Sequence, residues 1–85
     1  MQILYSGQVQ GVGFRYTACR TAAGFDVSGY VRNLPDGRVE CVVEGAPDQI
    51  DAFLADLSAR MSDYIEGQTQ TTSSPTGAYS HFSVG

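Results

Sequence analysis

The 85-residue sequence contains no lysine and only one histidine, His81. Because a P-loop and a Schiff base both require a lysine, neither can be present. A single histidine also excludes the HExxH helix and every metal site that needs two histidines. We therefore predict a protein without a metal centre, in which any catalysis depends on other side chains.

Cysteine is also scarce, since the chain has only Cys19 and Cys41 and no CxxC pair. A cysteine phosphatase carries an arginine at a fixed short spacing after its nucleophilic cysteine, and at that spacing this chain has Phe25 and Pro47. Covalent phosphate chemistry through cysteine is thereby excluded. We predict two reduced packing residues, because disulfides are rare in the cytosol.

Long apolar runs are absent as well. No segment approaches the ~18 apolar residues that cross a bilayer, and the first residues lack a basic stretch followed by an apolar one. The net charge of −4, from nine acidic residues and five arginines, would repel a nucleic acid backbone. We predict a soluble, cytoplasmic protein that binds neither membranes nor nucleic acids.

The apolar periodicity predicts alternating strands and helices within one short chain. The clearest signal is one apolar stripe at helical spacing, formed by Ile50, Phe53, Leu54, Leu57 and Met61. The predicted elements are a strand at 2–6, a helix at 14–24, strands at 27–34 and 38–45, a helix that begins at Pro47, a strand ending near Thr72, and a short edge strand ending at Val84.

This order of elements is that of a split βαββαβ fold. It predicts an α+β, ferredoxin-like sandwich, with an antiparallel sheet and both helices on one face. We expect residues 1–85 to form a single domain, because a chain of this length has room for one modest core. The fold by itself does not define a function, since it supports enzymes, RNA-binding modules and sensors.

Most carboxylates are interpreted as solvated surface charge. These are Asp48, Asp51, Asp56, Glu40 and Glu44. A more informative segment is GQVQGVGFR at 7–15, where three glycines precede a helix and Arg15 lies in its first turn. Such a loop can direct several backbone N–H groups and the positive end of a helix dipole toward one anion. By itself the segment is equally compatible with a tight strand-to-helix turn and a surface arginine.

Asn33 is the second candidate, within GYVRNLPDGRV at 29–39. A neutral amide can both donate to and accept from a water molecule, which suits the orientation of a nucleophile. The alternative is an ordinary turn-capping asparagine, which is common just before Pro-Asp-Gly.

Taken together, these two segments resemble the acylphosphatase family over nearly the whole chain. GQVQGVGFR at 7–15 is similar to the phosphate loop of that family, including its catalytic arginine. GYVRNLPDGRVECVVEG at 29–45 is similar to its second motif, which carries an asparagine. The spacing and the intervening helix also agree with the family pattern.

The resemblance implies a hydrolase that splits acyl phosphates into a carboxylate and inorganic phosphate, without metal or cofactor. The implied catalytic residues are Arg15, which binds the phosphate, and Asn33, which orients the attacking water. The implied phosphate-binding residues are Gln10, Gly11, Val12, Gly13, Phe14 and Arg15. We expect a monomer that acts on a small-molecule acyl phosphate.

The sequence departs from the family pattern at Leu34 and Arg38, where hydroxyl residues are common. Two other functions stay open on the sequence. One is a regulatory or small-anion-binding module that keeps the phosphate loop without chemistry. The other is an RNA-binding sheet, for which Tyr30 and Arg32 give only a weak indication.

Overall fold

The computed structural model describes all 85 residues and contains five strands and two helices. They are β1 (Gln2–Gly7), α1 (Phe14–Ala22), β2 (Val27–Asn33), β3 (Val39–Gly45), α2 (Pro47–Arg60), β4 (Ile65–Thr71) and β5 (Phe82–Val84). Every predicted element is present, with small differences at the ends. Neither helix is long and apolar enough to cross a membrane.

The sheet has the strand order β4-β1-β3-β2-β5. The pairings of β1 with β3, β1 with β4 and β2 with β3 are antiparallel, as the ferredoxin-like prediction requires. The short β5 pairs with β2 in parallel, so the complete sheet is mixed. This happens because the chain leaves β4 at one edge, reverses, and returns across the sheet to the opposite edge.

Both helices cover one face of the sheet, as predicted. Alternate residues of β1 and β3 project toward them, and the apolar stripe of α2 packs in the same cluster. The members of that cluster from β1, β3 and α2 include Ile3, Tyr5, Val39, Cys41, Val43, Phe53 and Leu57, all of them fully buried. Phe53 also contacts Phe82 of β5 edge to face, with ring centroids 5.3 Å apart. This contact anchors the last strand to α2.

Glu40 lies on the opposite face of the sheet. The prediction that its carboxylate is solvated was wrong, because the residue is buried. Its carboxylate accepts hydrogen bonds from Arg32 Nε at 2.6 Å, Gln2 Nε2 at 2.7 Å and the Tyr30 hydroxyl at 3.1 Å. Burial raises the pKa of Glu40, but these donors outweigh it and hold the pKa below its ordinary value. The partners come from neighbouring strands, so the sequence alone did not reveal them.

Glu44 is also buried, against the same prediction. Its carboxylate accepts hydrogen bonds from the backbone N–H and hydroxyl of Thr76, both at 2.9 Å, and from the Gly77 N–H at 3.1 Å. The bond from the Thr76 N–H is the main cause of its lowered pKa. The segment between β4 and β5 is therefore tied across this face, where the rings of Tyr79 and Tyr30 pack 5.7 Å apart.

These contacts bear on the RNA-binding alternative. Tyr30 and Arg32 both bind Glu40, and Tyr30 also packs against Tyr79. The two residues are thus engaged within the protein instead of forming a free stacking surface.

The carboxylates of Asp48 and Asp51 on α2 are exposed, as predicted for solvated charges.

Candidate active site

The loop between β1 and α1 has a backbone conformation that requires glycine. Gly11 and Gly13 have φ values of 77° and 78°, in the left-handed region that other residues rarely adopt. Gly13 is also the N-cap residue of α1 and offers no side chain for a capping hydrogen bond. The glycines therefore let the chain turn sharply while leaving the helix N-terminus open.

The backbone N–H groups of this loop have no partners in the protein. None of the N–H groups from Val9 to Gly13 donates a hydrogen bond to a backbone or side-chain acceptor, whereas that of Gln8 donates to the Tyr64 carbonyl oxygen. The first-turn N–H groups of α1 lack intrahelical acceptors for geometric reasons. A row of free donors at the positive end of a helix is suited to hold an anion.

Arg15 lies in the first turn of α1 and is exposed. Of the five arginines, three pair with carboxylates, and Arg20 donates to the Tyr16 hydroxyl. Arg15 alone has neither a hydrogen bond nor an ion pair within the protein. Its positive charge also opposes the helix dipole, so the position costs stability unless an anion binds there.

Asn33 is the last residue of β2 and pairs with Val39 across the sheet. Its side chain is partly buried and makes no hydrogen bond within the protein. The turn that follows is instead stabilised by Asp36, which accepts a hydrogen bond from the Arg38 N–H at 3.0 Å, and by the bond from the Leu34 N–H to the Arg38 carbonyl oxygen. The structure thus gives no support to a turn-capping role for Asn33.

Arg15 and Asn33 line the same cavity, which has a volume of about 370 Å³. The other lining residues are Val9, Gly11, Gly13, Phe14, Tyr16, Cys19 and Val84. Four of the six predicted phosphate-binding residues are therefore at the cavity, while Gln10 and Val12 are not among its lining residues. The Gln10 side chain instead donates to the carbonyl oxygens of Leu34 and Arg38, at 2.8 and 2.9 Å.

Sequence reasoning missed part of the lining. Tyr16 and Cys19 lie on the same helix as Arg15, so their spacing from it was a usable signal. Val84 could not have been found in this way, because only the pairing of β5 with β2 brings it to the cavity.

The cavity contains no carboxylate and no histidine. Its one thiol, Cys19, has a pKa raised by burial, which keeps it protonated and weakly nucleophilic. Elsewhere, no group of three or more histidine, cysteine or acidic side chains comes together as a metal site. The chemistry available at the cavity is anion binding and the positioning of a neutral molecule such as water.

Leu34 and Arg38, the two departures from the family pattern, flank the turn next to Asn33. The Arg38 guanidinium pairs with Asp36 at 2.8 Å. Neither residue supplies a side-chain hydrogen bond to Asn33, whose amide is free to contact a ligand or water.

Comparisons with known proteins show what this chain is similar to. A family model described as Acylphosphatase matches residues 1–84. The chain is 51% identical to an acylphosphatase of Methylococcus capsulatus over 55 residues, and this match covers 65% of the chain and only 60% of that relative. An acylphosphatase of Syntrophotalea carbinolica is 36% identical over 99% of this chain and 92% of its own length. The crystal structure of acylphosphatase from Bacillus subtilis matches with a TM-score of 0.86 at 30% identity, covering 98% of this chain and 93% of that one.

Proposed function

The chain belongs to the acylphosphatase family, and we propose that it hydrolyses acyl phosphates to a carboxylate and inorganic phosphate. The observation that carries this proposal is the shared cavity of Arg15 and Asn33, beside a loop whose N–H groups have no partners. An unpaired cation, free amide donors and a free amide side chain are the groups that a phosphate and a water molecule require.

In the proposed mechanism the phosphoryl group occupies the loop. The planar Arg15 guanidinium contacts two phosphate oxygens. The backbone N–H groups from Gln10 to Arg15 donate hydrogen bonds to the phosphate oxygens as well. As the reaction proceeds, these donors neutralise charge on the phosphoryl oxygens without having to reorganise.

Asn33 holds the attacking water on the proposed reaction path. The water oxygen forms a bond to phosphorus while the bond from phosphorus to the carboxylate oxygen breaks, and the carboxylate leaves with the electron pair. One proton of the water passes to a phosphate oxygen of the substrate, so the step needs no side-chain base. Because the leaving carboxylate is a weak base, positioning and charge neutralisation supply most of the rate.

The proposal extends to the setting of the enzyme. We assign it to the cytoplasm as a single domain of residues 1–85, and both cysteines are free, which fits a reducing compartment. We assign a monomer that needs no metal or cofactor, since one chain supplies every group named in the mechanism.

The test is a hydrolysis assay of the purified protein with acetyl phosphate, in the presence and absence of a chelator. We expect turnover that the chelator leaves unchanged and that inorganic phosphate inhibits competitively. Binding of phosphate without turnover would instead show an anion-binding module. Activity that a chelator abolishes and a divalent ion restores would overturn the metal-free mechanism.

A further inference from the structure

The segment that joins β4 to β5, residues 72–81, is the longest stretch of the chain outside helices and strands. It leaves one edge of the sheet and reaches the opposite edge. All of its residues are exposed except Tyr79, which is partly buried. Its one backbone–backbone hydrogen bond runs from the Gly29 N–H to the His81 carbonyl oxygen, at 3.1 Å. A segment with so few buried and hydrogen-bonded groups opens more easily than the sheet it crosses.

Glu44 holds the middle of this segment. Its carboxylate accepts hydrogen bonds from the Thr76 N–H, the Thr76 hydroxyl and the Gly77 N–H. Gly77 has a φ of 69°, and successive N–H groups around a left-handed residue converge on one anion. The other side-chain hydrogen bonds of residues 72–81 stay within the segment. Glu44 is therefore the main polar attachment between the segment and the sheet.

The rings of Tyr79 and Tyr30 form a second attachment, with centroids 5.7 Å apart. This contact lies near the end of the segment and leaves its middle to Glu44. The partners of Glu44 are all neutral, whereas Glu40 on the same strand also pairs with an arginine. Replacing the Glu44 carboxylate should therefore release the middle of the segment, because no ion pair substitutes for the lost hydrogen bonds.

The segment leads directly into β5, which borders the active-site cavity. β5 pairs with β2 over only three residues, and a parallel pairing of this length is weak. Val84 of β5 lines the cavity that also contains Arg15 and Asn33. Because β5 is so short, its position depends on the segment that precedes it.

Cys19 lies between the end of this segment and the active site. It lines the active-site cavity, and it also lines a second cavity of about 340 Å³ together with Ser80, His81 and Phe82. Movement of these three residues away from the sheet would expose the Cys19 thiol. Cys41 is fully buried in the core and becomes accessible only when the core itself unfolds. The two cysteines thus report two different events.

We propose that Glu44 is the latch of a strap formed by residues 72–84. While Glu44 binds Thr76 and Gly77, the strap is closed and β5 completes one wall of the active-site cavity. When these hydrogen bonds are lost, the strap opens as one unit and the rest of the fold stays intact. Arg15 and Asn33 lie outside the strap, so the open form keeps both groups and loses the wall at Val84.

The experiment measures the labelling rate of each cysteine by iodoacetamide at pH 7, with mass spectrometry to separate the two sites. In Glu44→Gln the amide has one acceptor oxygen instead of two, so at least one N–H of the strap loses its partner. We expect Cys19 to react faster than in the wild type by about tenfold, the scale of a lost hydrogen bond to a charged group. The labelling rate of Cys41 should stay within about twofold of wild type.

Two further variants test whether the effect belongs to the latch. Glu66→Gln makes the same change at an exposed position of β4 and should leave both labelling rates unchanged. Thr76→Val removes one of the three hydrogen bonds to Glu44 but keeps both N–H donors. It should accelerate the labelling of Cys19 by less than Glu44→Gln does.

Amide hydrogen exchange locates the opening. The Gly29 N–H donates to His81 and the Gly85 N–H donates to Val31, so both bonds join the strap end to β2 and neither contacts Glu44. Both should exchange faster in Glu44→Gln. The Ala23 N–H, which donates to the Cys19 carbonyl oxygen at the end of α1, should keep its wild-type rate because α1 does not move.

Three results would overturn the latch. They are an unchanged Cys19 rate in Glu44→Gln, an equal acceleration of Cys19 and Cys41, and faster exchange at Ala23 with no change at Gly29. Absence of turnover on acetyl phosphate would overturn the proposed function and not this inference, because labelling and exchange require no catalysis.

Discussion

The Gln10 Nε2 atom donates a hydrogen bond to the carbonyl oxygen of Leu34 at a distance of 2.8 Å. The same nitrogen donates to the Arg38 carbonyl oxygen at 2.9 Å. Only the NH₂ end of the amide can donate to carbonyl oxygens, so these two contacts define its orientation. Leu34 directly follows Asn33, and Gln10 therefore ties the loop that carries the free N–H groups to the end of the strand that carries Asn33.

Removing this bridge should reduce turnover more than phosphate binding. In Gln10→Met the loop keeps its glycines and its amide donors, but its position relative to Asn33 is no longer held. We expect kcat to fall by about 10 to 100-fold, because a small misplacement of aligned groups is costly. The inhibition constant of inorganic phosphate should change little. The measurements are steady-state kinetics and phosphate inhibition.

Gln8→Met is the matched control for Gln10→Met. Gln8 is exposed in the same loop, and its side chain makes no hydrogen bond. Equal losses of turnover in the two variants would show that the bridge has no positioning role. A large loss of phosphate affinity in Gln10→Met would place Gln10 in anion binding.

Replacing Arg15 and Asn33 by alanine should change different kinetic constants. Arg15 contacts the phosphate both in the bound substrate and in the transition state, so Arg15→Ala should raise KM, lower kcat and weaken inhibition by phosphate. Asn33 contacts mainly the water, so Asn33→Ala should lower kcat by ~100-fold or more with phosphate inhibition nearly intact. Arg60→Ala, which breaks a surface pair with Asp56, is the control for the loss of a positive charge.

Two results would contradict this division of roles. Asn33→Ala could keep most of its turnover, or it could lose phosphate binding as fully as Arg15→Ala does. Either result would mean that Asn33 does not orient the water.

Replacing tyrosine by phenylalanine should have different effects on stability at Tyr5 and at Tyr30. Tyr5 is fully buried, and its hydroxyl has no hydrogen-bond partner. The Ser58 side chain lies near this hydroxyl without forming a hydrogen bond to it. An unpaired buried polar group costs about 1 to 3 kcal/mol. Tyr5→Phe should therefore leave the free energy of unfolding unchanged or raise it.

Tyr30→Phe removes a hydrogen bond to the buried Glu40 carboxylate and should lower the free energy of unfolding by about 1.5 to 3 kcal/mol. Urea unfolding of both variants beside the wild type measures the difference. A loss in Tyr5→Phe as large as that in Tyr30→Phe would show that the Tyr5 hydroxyl does have a partner.

Glu40 should make the protein less stable in acid. Its pKa is lower in the folded protein than in the unfolded chain, so its contribution is complete above the unfolded value, about 4.3, and is lost as the pH falls through the lower folded value. The free energy of unfolding should therefore decrease with falling pH below about 5.

Glu40→Gln tests this origin of the acid sensitivity. The variant should be less stable at pH 7, because it loses charge-assisted bonds from Arg32 and Gln2, and its stability should depend less on pH in the acid range. Glu66→Gln makes the same change at an exposed position and should follow the wild-type profile. An unchanged acid slope in Glu40→Gln would assign the effect to other carboxylates, such as Glu44.

The positions of the helices and strands were predictable because their signals are local. An apolar period of two in β3 and an apolar stripe along α2 are properties of short segments, and each segment folds as its period indicates. Gly11 and Gly13, just before α1, likewise indicate a turn that leaves the N-terminus of that helix open. Even the candidate roles of Arg15 and Asn33 were reached from two short motifs.

The local patterns of the chain thus define its helices and strands, their order, and the two motifs that carry the family resemblance. Three features follow only from the folded chain: Gln10 reaches Leu34 across 24 positions, Glu44 binds Thr76 across 32 positions, and Val84 lies at the cavity beside Arg15. The parallel pairing of β5 with β2 also follows only from the folded chain. Each of these depends on which distant segments come together, and no local period encodes that, because a side chain is buried or exposed according to its neighbours in space.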